Sequence, residues 1–251
     1  MKPRTMLITG ATGGIGGALA RLYAEPGRTL ILQGRDEARL AELASQCQER
    51  GAEVEAVGLD FRDTDRLRAW LEEAAGRFDV DLAILNAGVT NSVGQGETWE
   101  AIRSLVEINL LATLAAVTAL LPSLRRRGRG QIALVSSLAA WYGMPITPAY
   151  GASKAALKNY GEALRGWLAP EGITVSVVMP GFVKSAMSDR FPGPKPFMMS
   201  PEQAALRIKR GLDRKQARIA FPLLLDIGMR GLALLPARWS DWIMGRLGYG
   251  G

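Results

Sequence analysis

The 251-residue chain has no histidine and a single cysteine. Without histidine, proton transfer near neutral pH must fall to another side chain whose pKa the fold has shifted. One cysteine, Cys47, excludes a disulfide framework within the chain, which suits a reducing compartment and makes the cytoplasm the expected location. Cys47 sits in a helical-looking stretch and reads as a packing residue rather than a nucleophile. No run of about 18 uncharged apolar residues is present, so no membrane-spanning segment is expected. The apolar run after Met1 is too short for the hydrophobic part of a signal peptide. Basic residues are scattered, with one short run at Arg125-Arg126-Arg127. No nucleic-acid module accompanies them, which argues against nucleic acid as a partner. No metal site is expected.

What is present is an apolar fraction of 48%, enough to cover a sheet on both faces, and a net charge of +7 (31 basic, 24 acidic) that favours anionic ligands. Short apolar runs at 5–9, 29–33, 54–59, 82–85, 131–136 and 174–179 read as strands. Stretches with helical spacing at 15–24, 36–50, 63–78, 98–121 and 150–168 alternate with them, the fourth stopping before Pro122. A helix at 201–213 and a last strand at 218–221 follow. This order predicts one α/β domain spanning 1–251. It is built as a Rossmann-type, doubly wound parallel sheet of about seven strands, with helices on both faces and a helical C-terminal tail. Apolar strands without alternation fit a sheet buried on both sides. Ligands in such sheets sit beyond the carboxyl ends of the strands, where nearly all the Gly, Asp, Asn, Ser and Pro-Gly signals of this chain fall.

Two motifs carry the chemistry. T-G-A-T-G-G-I-G, Thr9 to Gly16, follows the first strand and opens the first helix, so Gly10, Thr12, Gly13, Gly14 and Ile15 can meet a pyrophosphate at a helix N-terminus. Y-G-A-S-K places Tyr150 and Lys154 one turn apart on one helix face. A free phenol has a pKa of about 10, and bringing it toward 7 needs about 4 kcal/mol of differential stabilisation. A desolvated ammonium beside the phenol can supply this, and an exposed one cannot.

Together these motifs resemble the classical short-chain dehydrogenase/reductase family, and other pieces match in order from about residue 4 to 190. Asp60, followed by Phe61, stands where the family contacts adenine. Asn86-Ala87-Gly88 matches its N-A-G motif, Asn109 its helix asparagine, and Ser137 its serine thirteen residues before the tyrosine. Pro180-Gly181 matches the P-G turn, with Val183 beyond it and Ser185 where threonine is usual. The tail lacks the family's Asp-Gly-Gly ending, so oligomer contacts do not transfer directly. The resemblance implies a homodimer or homotetramer, and an oxidoreductase that moves a hydride between a nicotinamide cofactor and a carbonyl or secondary alcohol. Tyr150 would be the acid/base, Ser137 would orient the substrate, and Lys154 would assist and hold the ribose. Asn109 would kink its helix and hold a water leading from Lys154.

Gln33 takes the place where NAD-preferring relatives have aspartate, and Arg35 follows two residues on, which favours NADP over NAD. Asp36 complicates this reading if it turns inward. Trp141, Tyr142, Met144 and Ile146, with Phe191, Phe197, Met198 and Met199 from a lid region at 187–217, make the expected mouth apolar and so point to an apolar small molecule. The tail at 222–251 mixes Trp239 and Trp242 with Arg230, Arg238 and Arg246. Three placements stay open for it: a membrane interface, the substrate mouth, or a second subunit. Two other readings of the chain are a dinucleotide-binding regulator without turnover and a sugar-nucleotide-type epimerase or dehydratase.

Overall fold

The computed structural model describes residues 3–91 and 97–249; the outermost two residues at each end of the expected domain lie outside it. Seven strands form one parallel sheet in the order β3-β2-β1-β4-β5-β6-β7. They are β1 (Thr5–Ile8), β2 (Thr29–Gly34), β3 (Glu53–Gly58), β4 (Leu82–Leu85), β5 (Gly130–Val135), β6 (Ile173–Pro180) and β7 (Arg218–Phe221). The helices are α1 (Gly14–Tyr23), α2 (Glu37–Gln48), α3 (Thr64–Arg77), α4 (Trp99–Val106), α5 (Ala112–Arg127), α6 (Pro148–Leu168), α7 (Ala186–Asp189), α8 (Pro201–Asp213), α9 (Leu223–Leu234) and α10 (Ala237–Arg246). The order reverses between β1 and β4, and that switch point opens the crevice in which doubly wound sheets bind ligands.

Side-chain alternation divides the core. Met6 and Ile8 point to one face, packed with Leu19, Leu43 and Ile208 of α1, α2 and α8. Leu7 points to the other, packed with Leu71, Leu120 and Leu164 of α3, α5 and α6. A third cluster joins Leu138, Val177 and Met179 to Met229, Leu232 and Met244 of α9 and α10, so the tail folds onto the body of the domain.

Two expectations are corrected. The helix at 98–121 does not stop before Pro122: α5 carries Pro122 inside it and ends at Arg127, where Gly128 takes a left-handed φ of 60°. An interior proline costs roughly 3 kcal/mol. Here buried Leu120, Leu121 and Leu124, and the Ser123 hydroxyl donating to the Ala75 carbonyl at 3.0 Å, hold the helix against the core. Nor is the sheet buried throughout, since β3 forms one edge with only partial cover, which its E-V-E-A-V-G sequence matches. The helical stretch 99–127 is long and apolar enough to cross a membrane, although no such segment was expected from the sequence. With 56% of its apolar window buried in the protein, it serves as a core helix.

Replacing fully buried Leu120 with alanine leaves a cavity between α5 and the sheet. The expected loss is about 2–5 kcal/mol, a fall in Tm of roughly 5–15 °C in thermal denaturation followed by circular dichroism.

Candidate active site

The glycine loop depends on two close approaches. Gly10 has a left-handed φ of 63°, and a Cβ there would lie 2.8 Å from the Ala87 Cα. A Cβ on Gly16 would lie 2.3 Å from the Gly10 carbonyl oxygen. The loop is tied to β4, because the Thr9 hydroxyl accepts from the N–H groups of Asn86 and Ala87 at 3.0 and 3.1 Å. The Asn86 amide in turn donates to the carbonyls of Thr9 and Gly10. No side chain caps α1, so its first-turn N–H groups and its positive dipole end face the crevice.

That crevice is a cavity of about 1020 Å³. Its walls include Gly10, Thr12, Gly13, Gly14, Ile15, Arg35, Phe61, Asn86, Ala87, Gly88, Ser137, Tyr150, Lys154, Pro180, Gly181, Val183 and Ser185, all expected at the site. Asp60 is not on the wall. Its carboxylate is taken by Arg62 at 2.5 Å and held below the usual carboxylate range, leaving Phe61 to line the cavity. Gln33 is 2% exposed and serves as a strut: its side-chain carbonyl accepts from the Gly10 N–H at 3.0 Å and its amide donates to the Leu59 carbonyl at 2.6 Å. Asp36 caps α2 by accepting from the Arg39 N–H, and its carboxylate lies 3.3 Å from the Arg39 guanidinium. Arg39 itself lines the cavity, a position the sequence reading missed; its one signal was the single-turn spacing from Arg35. Among the described wall residues there is no Asp or Glu, and the cations are Arg35, Arg39 and Lys154.

In the middle of the cavity, Lys154 is 3% exposed and donates to the Val135 carbonyl at 3.0 Å. The Ser136 hydroxyl donates to the Lys154 carbonyl at 2.7 Å, clamping the end of β5 to α6. The Lys154 ammonium lies 5.7 Å from the centre of the Tyr150 ring. Burial pushes Lys154 down to about 8. Burial also pushes the Tyr150 phenol up, and the Ser137 hydroxyl pulls it partway back. The downward shift expected from Lys154 is not among the causes acting on this phenol, where desolvation comes first, because the sequence gives spacing but not solvation. Ser137 is oriented by accepting from the Ala139 N–H at 3.1 Å.

Asn109, expected to kink its helix, lies in a π-helical turn, Glu107–Leu111, between α4 and α5. Its fully buried side chain accepts from the Val89 N–H at 2.7 Å and donates to the Val89 carbonyl and the Ser153 hydroxyl. A Cβ on Gly88 would meet both Asn109 Oδ1 and Lys154 Nζ at 3.2 Å, so Asn109 holds the strand-end loop against the lysine.

Beyond Tyr150 the cavity is apolar, walled by Leu138, Met144 and Phe191 and by Leu225, Met229, Leu232, Ile243 and Met244 of the tail. Of the expected mouth residues, Met144 and Phe191 are on this wall, and Tyr142, Ile146, Phe197, Met198 and Met199 are not. Trp141 lies outside it as well. Its indole N–H donates to Asp226 at 2.8 Å, and Lys158, Arg218 and Arg230 surround its ring at 4.6–4.8 Å. Trp141 thus anchors α9. The substrate mouth was one of three placements left open for the tail, because the 225, 229, 232 spacing signals an inward face but not what it covers.

The family model for short chain dehydrogenase matches residues 4–193. The chain belongs to the short chain dehydrogenase family. This short chain dehydrogenase is 36% identical over 252 aligned residues, 98% of each chain, to an uncharacterized oxidoreductase of Myxococcus xanthus. It is similar to the solved structure of a short-chain dehydrogenase from Sphingobium yanoikuyae in complex with NADPH (29% identity, TM-score 0.80, covering 96% of this chain and 93% of that one). It is also similar to the bulky-bulky ketone specific alcohol dehydrogenase of Comamonas testosteroni (26% identity, TM-score 0.79, covering 97% and 92%). The glycine cradle, the uncapped helix end and the acid-free wall of this dehydrogenase fit a dinucleotide.

Gly16→Val places a side chain against the Gly10 carbonyl and closes the cradle. Binding of nicotinamide dinucleotide, measured by isothermal titration, is expected to weaken at least about tenfold, with the far-ultraviolet spectrum unchanged.

Proposed function

We propose that this short chain dehydrogenase is an NADP-dependent reductase of bulky, uncharged, apolar ketones. One observation carries the reading: a single acid-free cavity has two arginines at one end, the Ser137–Tyr150–Lys154 cluster at its centre and an apolar chamber at the other end. Arg35 and Arg39 suit the 2′-phosphate, since a guanidinium binds phosphate through several N–H groups and Gln33 brings no repelling carboxylate. The NADPH bound to the Sphingobium relative supports this choice. The apolar chamber and the bulky-ketone specificity of the Comamonas relative support the substrate class.

The bound cofactor supplies the hydride. The chain supplies position and a proton. The uncapped N-terminus of α1 and the glycine cradle would take the pyrophosphate, and Lys154 would hold the ribose. Ser137, oriented by the Ala139 N–H, donates to the ketone oxygen and fixes the carbonyl beside Tyr150. Tyr150 gives that oxygen its proton; a phenol raised by burial is fully protonated at neutral pH and so is set for reduction. Lys154, still a cation below about pH 8, steadies the phenolate left behind and passes it a proton that bulk water then replaces. The tail walls keep water from the reacting carbon.

Tyr150→Phe is expected to lower ketone reduction by about a hundredfold to ten-thousandfold while NADPH still binds. In the unmutated enzyme, kcat/KM for reduction should hold steady below pH 8 and decline above it, because the lowered Lys154 pKa of about 8 means the cation is lost on that side. A Tyr150→Phe enzyme with undiminished turnover would remove the mechanism.

Arg35→Ala combined with Arg39→Ala is expected to raise KM for NADPH by about tenfold or more and to leave KM for NADH nearly unchanged. A wild-type enzyme that prefers NADH would reverse the cofactor assignment.

A further inference from the structure

The outer face of the tail is as apolar as its inner one. Among the described residues, eight of the fifteen exposed large apolar side chains fall within Leu223–Leu247, about a tenth of the chain. On α9 they are Leu223, Leu224, Ile227 and Leu234, the last 86% exposed; on α10 they are Trp239 and Trp242, edge to face at 6.4 Å. Such a concentration marks an interaction surface rather than scattered exposure. Two more, Leu235 and Leu247, are 44% and 54% exposed and also line the cavity, so the outer surface runs without a break into the substrate chamber.

Arginines outnumber carboxylates on this face, three (Arg230, Arg238, Arg246) to two (Asp226, Asp241). Asp226 is buried against Trp141 and Arg230, and Asp241 accepts from the Tyr142 hydroxyl. Arg238 and Arg246 make no ion pair among the described residues and lie over Trp239 and Trp242 at 5.8 and 4.9 Å. A two-fold pairing of copies through this patch would set exposed arginines against the same face, where both carboxylates are already engaged. Aliphatic tips, tryptophans and unanswered cations are instead the surface that an anionic bilayer interface receives.

We propose that α9 and α10 dock on a bilayer containing anionic phospholipids, and that apolar substrate enters the chamber from the lipid past Leu235 and Leu247. Docking is a property of the outer face and can be read without turnover, so it stands or falls separately from the assigned reaction.

The test is flotation of the full-length protein with vesicles of phosphatidylglycerol and phosphatidylcholine, beside vesicles of phosphatidylcholine alone. The wild-type protein is expected to partition about tenfold better onto the anionic vesicles. Ile227→Asp combined with Leu234→Asp, both outside the cavity wall, is expected to weaken that partitioning at least about tenfold, with Tm and reduction of a water-soluble ketone kept. Arg238→Gln combined with Arg246→Gln is expected to remove the preference for the anionic vesicles, and this pair carries the test if the aspartate variant misfolds. Absence of flotation by the wild-type protein, or equal flotation by both variants, overturns the proposal. So does light scattering that shows a dimer split by the aspartate variant with no vesicle binding, which would assign the face to a second copy.

Discussion

A lysine ammonium is buried in this domain with a carbonyl group, not a carboxylate, as its partner. Lys154 is held by the Val135 oxygen, and among the described residues the cavity walls around it carry no acid. A carboxylate at that distance would stabilise the cation and also cancel its field. Unopposed, the charge acts on whatever shares the cavity: a ribose, a phosphate or the Tyr150 phenol. Desolvation keeps the lysine only just charged at neutral pH, which makes it a ready proton source as well as a fixed cation. The clamp between Ser136 and the Lys154 backbone, and the packing of Gly88 against its Nζ, fix the end of β5, the start of α6 and the loop after β4 around one point.

The sheet and this point were both readable from the residues, because buried parallel strands are apolar runs and the reactive side chains recur at fixed offsets. What could not be read were outcomes of competition between distant parts of the chain. Pro122 ought to end a helix by local rules, and core packing overrides it. Asp60 stands at the offset for a nucleotide contact, and its ion pair with Arg62, two residues away, is not legible in that offset. The apolar residues near 141–146 and 197–199 were readable as apolar but not as inward or outward, which only the position of α9 decides. Tyr150 and Lys154 were correctly placed on one helix face, and the dehydration that raises the phenol's pKa comes from elements far away in sequence.

The cavity keeps its two tasks apart. The end that meets phosphates is made of backbone N–H groups, glycines and guanidiniums from the first 90 residues, while the chamber beyond Tyr150 is closed by the last 30. One half can therefore vary in shape without disturbing the other, and Trp141 fastens α9 of the chamber to the body of the domain, with Asp226 on one side and three cations around its ring.

The five-residue turn at Glu107–Leu111 has a consequence for chain length. A π turn accommodates one residue more than the regular helical ladder, and each residue advances a helix by about 100°. Deleting any one of the four residues around Asn109 in this turn would let α4 run straight into α5, rotate α4 by about that angle and draw Asn109 away from Val89 and Ser153. The helix therefore serves two masters along its length, the core below the turn and the catalytic loop above it, and a single-residue insertion is what reconciles them.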